Sequence, residues 1–177
     1  MMLKKILIVV LLCLLDANGN GLYAQIPGDF DGDGRQETCT LIPPAIIEEE
    51  MECNSECECL LSFSDEKIKT LKIPQSINGS LRNLGDLNGD GRDEIGFLPR
   101  WWTSCWSAYY VFTYRNDEWV ELLKESVHCN LLEELDESGG SIIEKIPNRK
   151  GYVKIHFSVF DFDKEEILSK ERTEKLK

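Results

Sequence analysis

Two stretches of this chain set oxygen donors at alternate positions among glycines. Residues 28–37 read Gly-Asp-Phe-Asp-Gly-Asp-Gly-Arg-Gln-Glu, and residues 85–94 read Gly-Asp-Leu-Asn-Gly-Asp-Gly-Arg-Asp-Glu. The donors are Asp29, Asp31 and Asp33 in the first and Asp86, Asn88 and Asp90 in the second, closed by Glu37 and Glu94. A hard dication such as Ca²⁺ takes six to eight oxygens at about 2.3–2.6 Å. A tightly curled loop can aim its first, third and fifth residues at one centre. The seventh adds a backbone carbonyl, here of Arg35 or Arg92, and the ninth closes the cage. Without an ion, two carboxylates roughly 5 Å apart repel by about 3 kcal/mol at an effective dielectric of 20. Asp-Gly and Asn-Gly are also ordinary hairpin turns, which would account for one such stretch. Two stretches with matched donor positions point to Ca²⁺ as the cofactor.

The residues immediately C-terminal to each stretch decide the type of loop. EF-hands and dockerins open similarly but place a carboxylate at the twelfth position and continue into a helix. Here the twelfth position is Thr40 or Phe97, and the next residues, Thr38 to Pro43 and Ile95 to Pro99, have the β-branched and aromatic character of strands. A calcium loop leading into a strand resembles the FG-GAP or VCBS-type repeat, the blade unit of integrin α-chain β-propellers and of many secreted bacterial proteins. The resemblance implies Ca²⁺ coordination by Asp29, Asp31, Asp33, the Arg35 carbonyl and Glu37, and by Asp86, Asn88, Asp90, the Arg92 carbonyl and Glu94. The Phe-Gly and Gly-Ala-Pro signatures that name the repeat are absent. Two loops are also too few to close a propeller of four or more blades.

The rest of the chain should supply the sheets that hold these loops. Lys4 and Lys5, the apolar run from Ile6 to Leu15 and a polar stretch ending at Ala24 predict a signal peptide over residues 1–24. One β domain is expected over residues 25–177, with a first repeat at about 28–80, a second at about 85–130 and a degenerate third unit at about 131–163. The expected fold is mainly β: antiparallel sheets resembling two to three propeller blades, with residues 164–177 as a short charged tail or helix. Predicted strands include Cys59 to Ser64, Lys67 to Ile73 and Ala108 to Tyr114, with turns at Asp65-Glu66, Asn78 to Ser80 and Asn116-Asp117. Ile142 to Ile146 and Gly151 to Phe160 should pair through Pro147 to Lys150, with His156 on the wet face beside Lys154 and Ser158.

Composition narrows the location and the partners. Export predicts that Cys39, Cys53, Cys57, Cys59, Cys105 and Cys129 form disulfides, whose pairing the spacing leaves open. The close spacing of Cys53, Cys57 and Cys59 also suits zinc, but only His128 and His156 could complete such a site. A formal net charge of −12 disfavours nucleic-acid binding. No membrane span is expected once the signal peptide is cleaved, so the protein is placed in the periplasm or outside the cell.

Trp101, Trp102 and Trp106 concentrate aromatic surface next to the second loop, where they either pack in the core or stack on a glycan or peptide. Glu48, Glu49, Glu50, Glu52, Glu56 and Glu58 form an acidic run that is either a solvated loop or a decoy for a basic partner. No Ser/His/Asp set or phosphate loop is visible. The expected function is therefore a non-catalytic calcium-binding β-repeat module for an unknown protein or glycan. The alternative is a small extracytoplasmic hydrolase or a proteinaceous inhibitor.

Overall fold

The computed structural model describes residues 23–47 and 49–177. The predicted signal peptide lies outside the described residues except for Tyr23 and Ala24, and so does Glu48 of the acidic run. The structure is mainly β and antiparallel, built on two four-stranded sheets, a three-stranded sheet and a small hairpin.

The first sheet has the order β1 (Gln25–Gly28), β2 (Glu37–Ile42), β5 (Glu58–Phe63), β6 (Leu71–Pro74). A two-stranded excursion, β3 (Ile46–Ile47) and β4 (Glu52–Cys53), interrupts it. The second sheet is an uninterrupted meander of β7 (Asn78–Asn83), β8 (Ile95–Arg100), β9 (Trp106–Arg115) and β10 (Glu118–His128). Helix α1 (Cys129–Ser138) comes next, then a third sheet of β11 (Ile143–Lys145), β12 (Tyr152–Asp161) and β13 (Glu166–Lys175). Residues 28–37 join β1 to β2 and residues 85–94 join β7 to β8. Each acidic loop (hereafter loop 1 and loop 2) therefore connects the first two strands of its own sheet. The described residues form no closed barrel or propeller.

The second sheet is the middle layer, because both of its faces are apolar. Along β9, Phe112 and Tyr114 join Phe30, Leu41, Leu61 and Ile73 in a core shared with the first sheet. Tyr109 and Val111 point the other way, into a second core with Val127, Leu131, Val153 and Ile155. The period of two along a strand assigns these side chains to opposite faces. The Asn116-Asp117 turn has both residues at positive φ, 54° and 58°, as a two-residue turn between right-twisted strands requires.

Several expectations are corrected. Residues 164–177 contain neither a helix nor a frayed tail: Glu166–Lys175 pair with β12 along its whole length, and the turn is held by Asp161 Oδ1 accepting from the Asp163 and Lys164 amides. Charge misled here, because an edge strand tolerates charged side chains on its wet face. Asn78 to Ser80 is no turn but the start of β7, paired through Asn78 to Arg100. The strand expected from Lys67 is shorter, beginning at Leu71, since Asp65 caps a turn by accepting from the Lys67 amide. The third unit also holds the unexpected helix α1, with Leu131, Leu132 and Leu135 on one side and a C-cap at Gly139 in the left-handed region. Ser158, expected to be wet beside His156, is buried and accepts a hydrogen bond from the His128 amide.

The cysteines divide into two kinds. Cys53–Cys57 and Cys105–Cys129 are disulfides. Cys39 and Cys59 are free thiols buried in the first core, so the disulfide expectation fails for both. The strand register gives the reason. Cys39 lies opposite Phe63 on β5, which puts Cys59 four residues further along, or roughly 13 Å at about 3.4 Å per residue, beyond the reach of a bridge. Burial pushes the Cys39 thiol up to about 12 and raises that of Cys59, so both behave as small apolar side chains. A zinc site at Cys53, Cys57 and Cys59 is excluded by the same division.

Candidate functional site

Loop 1 curls around its own acids. Gly32 sits at φ 78°, a conformation that glycine adopts without strain and that turns the following amides inward. The Gly32 and Gly34 amides donate to the two oxygens of Asp29, at 2.9 and 3.0 Å. The Asp33 amide donates to Asp31 Oδ1 at 3.0 Å, the Arg35 amide to Asp33 Oδ1 at 2.9 Å, and the Phe30 amide to Glu37 Oε2 at 2.9 Å. These bonds hold Asp29 by both oxygens and Asp31, Asp33 and Glu37 by one each. They bring Asp29, Asp31, Asp33 and Glu37 together, with one oxygen of each within 4.8 Å of the others. Glu37 is buried; burial raises its pKa above the usual carboxylate value, and the charges of Asp31, Asp29 and Asp33 raise it further. Among the described residues no lysine or arginine forms an ion pair with any of the four. A cluster of hard oxygens with unbalanced negative charge could hold a metal ion, with Asp29, Asp31, Asp33 and Glu37 as the holding residues.

Loop 2 repeats the framework bond for bond. Gly89 and Gly91 amides donate to Asp86, the Asp90 amide to Asn88 Oδ1, the Arg92 amide to Asp90 Oδ1 and the Leu87 amide to Glu94 Oε2. Its charge is handled differently. Asn88 Nδ2 donates to Glu94 Oε1 at 2.9 Å and to Asp90 Oδ2 at 3.2 Å. The Arg92 guanidinium lies 3.6 Å from Asp90, and Lys145 Nζ donates to the Asp86 carbonyl at 2.6 Å. A Cβ on Gly89 would strike the side chain of Lys150, so the β11–β12 turn lies directly over the loop. Glu94 is fully buried, and that burial pushes its pKa up to about 7. Among the described residues, only loop 1 gathers its acids as closely as 4.8 Å.

The loops touch. The Asp93 amide donates to the Asp29 carbonyl at 2.8 Å, and Asp93 Oδ2 accepts from the Asp29 amide at 3.1 Å. Asn83 Nδ2 bridges Asp93 Oδ2 and the Pro27 carbonyl, at 2.8 and 2.9 Å. Arg92 Nε donates to the Asp31 carbonyl at 3.0 Å. Sequence reading missed this seam. The one available signal was the eighth loop position, where loop 1 has Gln36 and loop 2 has Asp93.

The aromatic candidates separate. Trp101 and Trp106 are 40% and 36% exposed, enough for ring contact with a ligand, and Trp102 is half-buried with its ring 6.3 Å from that of Trp101. They line a groove of about 510 Å³ with Arg100 and Ser104, floored by the Cys105–Cys129 disulfide. His128 caps α1 by accepting from the Asn130 amide and packs on Trp106 at 4.9 Å between ring centroids. Its ring nitrogens lie 3.8 and 3.9 Å from the Cys129 sulfur, and with both cysteines oxidised this triad offers no thiolate to a metal. Trp119, by contrast, packs against Phe63 and Tyr114 and donates to the Lys69 carbonyl. In the acidic run, Glu49, Glu50, Glu52 and Glu56 are exposed around the β3–β4 hairpin, whereas Glu58 pairs with Lys72. No helix among the described residues is long and apolar enough to cross a membrane. No protein-family model, curated protein or solved structure matches this chain.

Proposed function

We propose that the chain is an extracytoplasmic, calcium-stabilised β module whose first two sheets are blade-like repeats of the FG-GAP or VCBS type, and that it binds a macromolecule or glycan without catalysing a reaction. The convergence of Asp29, Asp31, Asp33 and Glu37 with no cationic partner among the described residues carries this reading. The Arg35 carbonyl would add a fifth ligand. In loop 2, Asp86, Asn88, Asp90, Glu94 and the Arg92 carbonyl would form a second, weaker site. Bound Ca²⁺ supplies the positive charge that lets the acids approach. The chain's own part is to hold them by backbone amides and to tie β1 to β2. Two disulfides suit an oxidising compartment.

Calorimetry of the protein in EDTA and in Ca²⁺ tests the metal. A melting temperature unchanged by Ca²⁺ would refute it. The ligand reading rests on exposed Trp101 and Trp106 beside Arg100 in an open groove. A glycan array probed with the wild type, Trp101→Ala and Trp106→Ala tests that part. Identical binding patterns for all three would rule the groove out as the ligand site.

A further inference from the structure

A second cleft opens between β7–β9 and α1, separate from the acidic loops, with a volume of about 270 Å³. That is just below the range of roughly 300–1,000 Å³ typical of drug-sized ligands, so it suits a small molecule and not a polymer. Leu98, Leu132, Leu135 and Ile142 make its wall apolar. Beside the Ser80 and Ser141 hydroxyls, three further polar groups line it. The first is Tyr109, whose ring is buried and whose hydroxyl, in no hydrogen bond among the described residues, opens on the cleft. Gly96 makes room for it, since a Cβ there would collide with this hydroxyl. The second is Arg82, close enough to bias the Tyr109 hydroxyl electrostatically and in no ion pair among the described residues. The third is Asp136, near the end of α1, likewise in no ion pair among them. The last turn of α1 carries no basic residue, so the Asp136 carboxylate presents uncompensated negative charge to the cleft.

Opposite charges face one small apolar cavity without satisfying each other. We infer that the cleft binds a free apolar α-amino acid. Its carboxylate is taken by Arg82 and the Tyr109 hydroxyl, which donates to it. Its ammonium is taken by Asp136 at the helix end. Its side chain packs on Leu98, Leu132, Leu135 and Ile142. Such a ligand carries no net charge, so the protein's excess of acids does not repel it. The inference is independent of the calcium reading.

Titration calorimetry of the full exported chain with L-leucine tests it against two truncated probes, isocaproate, which lacks the ammonium, and isoamylamine, which lacks the carboxylate. Saturable binding of leucine is expected, with each probe at least tenfold weaker. Arg82→Gln and Asp136→Asn, both at exposed positions, should each weaken leucine at least tenfold with no change in melting temperature. Tyr109→Phe keeps the packed ring and should weaken it severalfold. No saturable leucine binding, equal affinity for leucine and isocaproate, or wild-type affinity in Arg82→Gln or Asp136→Asn would overturn the inference.

Discussion

In loop 1 the Asp31 atom left over from the framework hydrogen bonds is a carboxylate oxygen; in loop 2 the matching atom of Asn88 is an amide nitrogen that donates to Asp90 and Glu94. Around the first loop, Arg92 donates to the Asp31 carbonyl and lies across Gly32, but no cation among the described residues pairs with the acids. Around the second, Arg92 and Lys145 make direct contacts, and Lys150 lies across Gly89. Two loops with the same backbone thus differ in how their acids are partnered: those of the first meet no cation among the described residues, whereas in the second Asn88 donates to Asp90 and Glu94 and Arg92 pairs with Asp90. Local sequence specifies the curl. The neighbours of the curl decide whether its acids are left without a partner.

The largest effect should come from removing the difference in loop 1. A ligand present at a thousand times its dissociation constant stabilises by about 4 kcal/mol. Asp31→Asn should lose most of that Ca²⁺-dependent gain in differential scanning calorimetry. An undiminished shift in that variant would dissolve the contrast between the loops.

The reverse change should turn loop 2 into a second loop 1. Asn88→Asp adds a carboxylate at roughly 5 Å from others and should cost about 3 kcal/mol in EDTA, with recovery in Ca²⁺. Urea unfolding in the two buffers reads both quantities. Equal stability of variant and wild type in EDTA would mean that Arg92, Lys145 and Lys150 absorb the extra charge.

The seam between the loops gives a smaller effect. Asp93→Asn weakens the charged hydrogen bonds to the Asp29 amide and to Asn83. It should cost about 1.5–3 kcal/mol, the usual range for bonds to a charged group. In a double-mutant cycle with Asp31→Asn, a coupling of at least ~0.5 kcal/mol is expected for residues sharing one network. Strict additivity would show that the loops act separately.

The smallest effect concerns pH. Burial raises the pKa of Glu94 to about 7, from an ordinary value of 4.5. The folded, metal-free chain therefore holds its proton where the unfolded chain has lost it. Stability in EDTA should fall as pH rises from about 5 through 7. Ca²⁺ favours the carboxylate, so it should flatten that slope, and its own affinity should drop on acidification over the same window. Melting curves at several pH values check both. A slope unaffected by Glu94→Gln would assign the effect to another group.

Much of this was legible in the chain itself. The alternation of Asp29, Asp31 and Asp33 is a short-range pattern, and glycine between the donors imposes the curl whatever surrounds it. The β9–β10 hairpin was equally plain, because Asn116-Asp117 and the flanking aromatic run act over a few residues. The C-terminal strand was not, since Glu166–Lys175 is charged enough to pass for a tail and becomes a strand only by pairing with β12. Helix α1 was missed because its apolar positions are few and its caps, His128 and Gly139, are legible only once the helix is known.

The sequence alone determined the mainly β character and the two matched loops, both of which depend on spacing within about ten residues. Tertiary structure decided which cysteines bridge, which tryptophans stay exposed, and that Asp93 and Arg92 join the loops. It also decided that Lys145 and Lys150, distant in sequence, sit over loop 2. These outcomes turn on which segments become neighbours, and neighbourhood across sheets is set by packing of the two cores and by strand register.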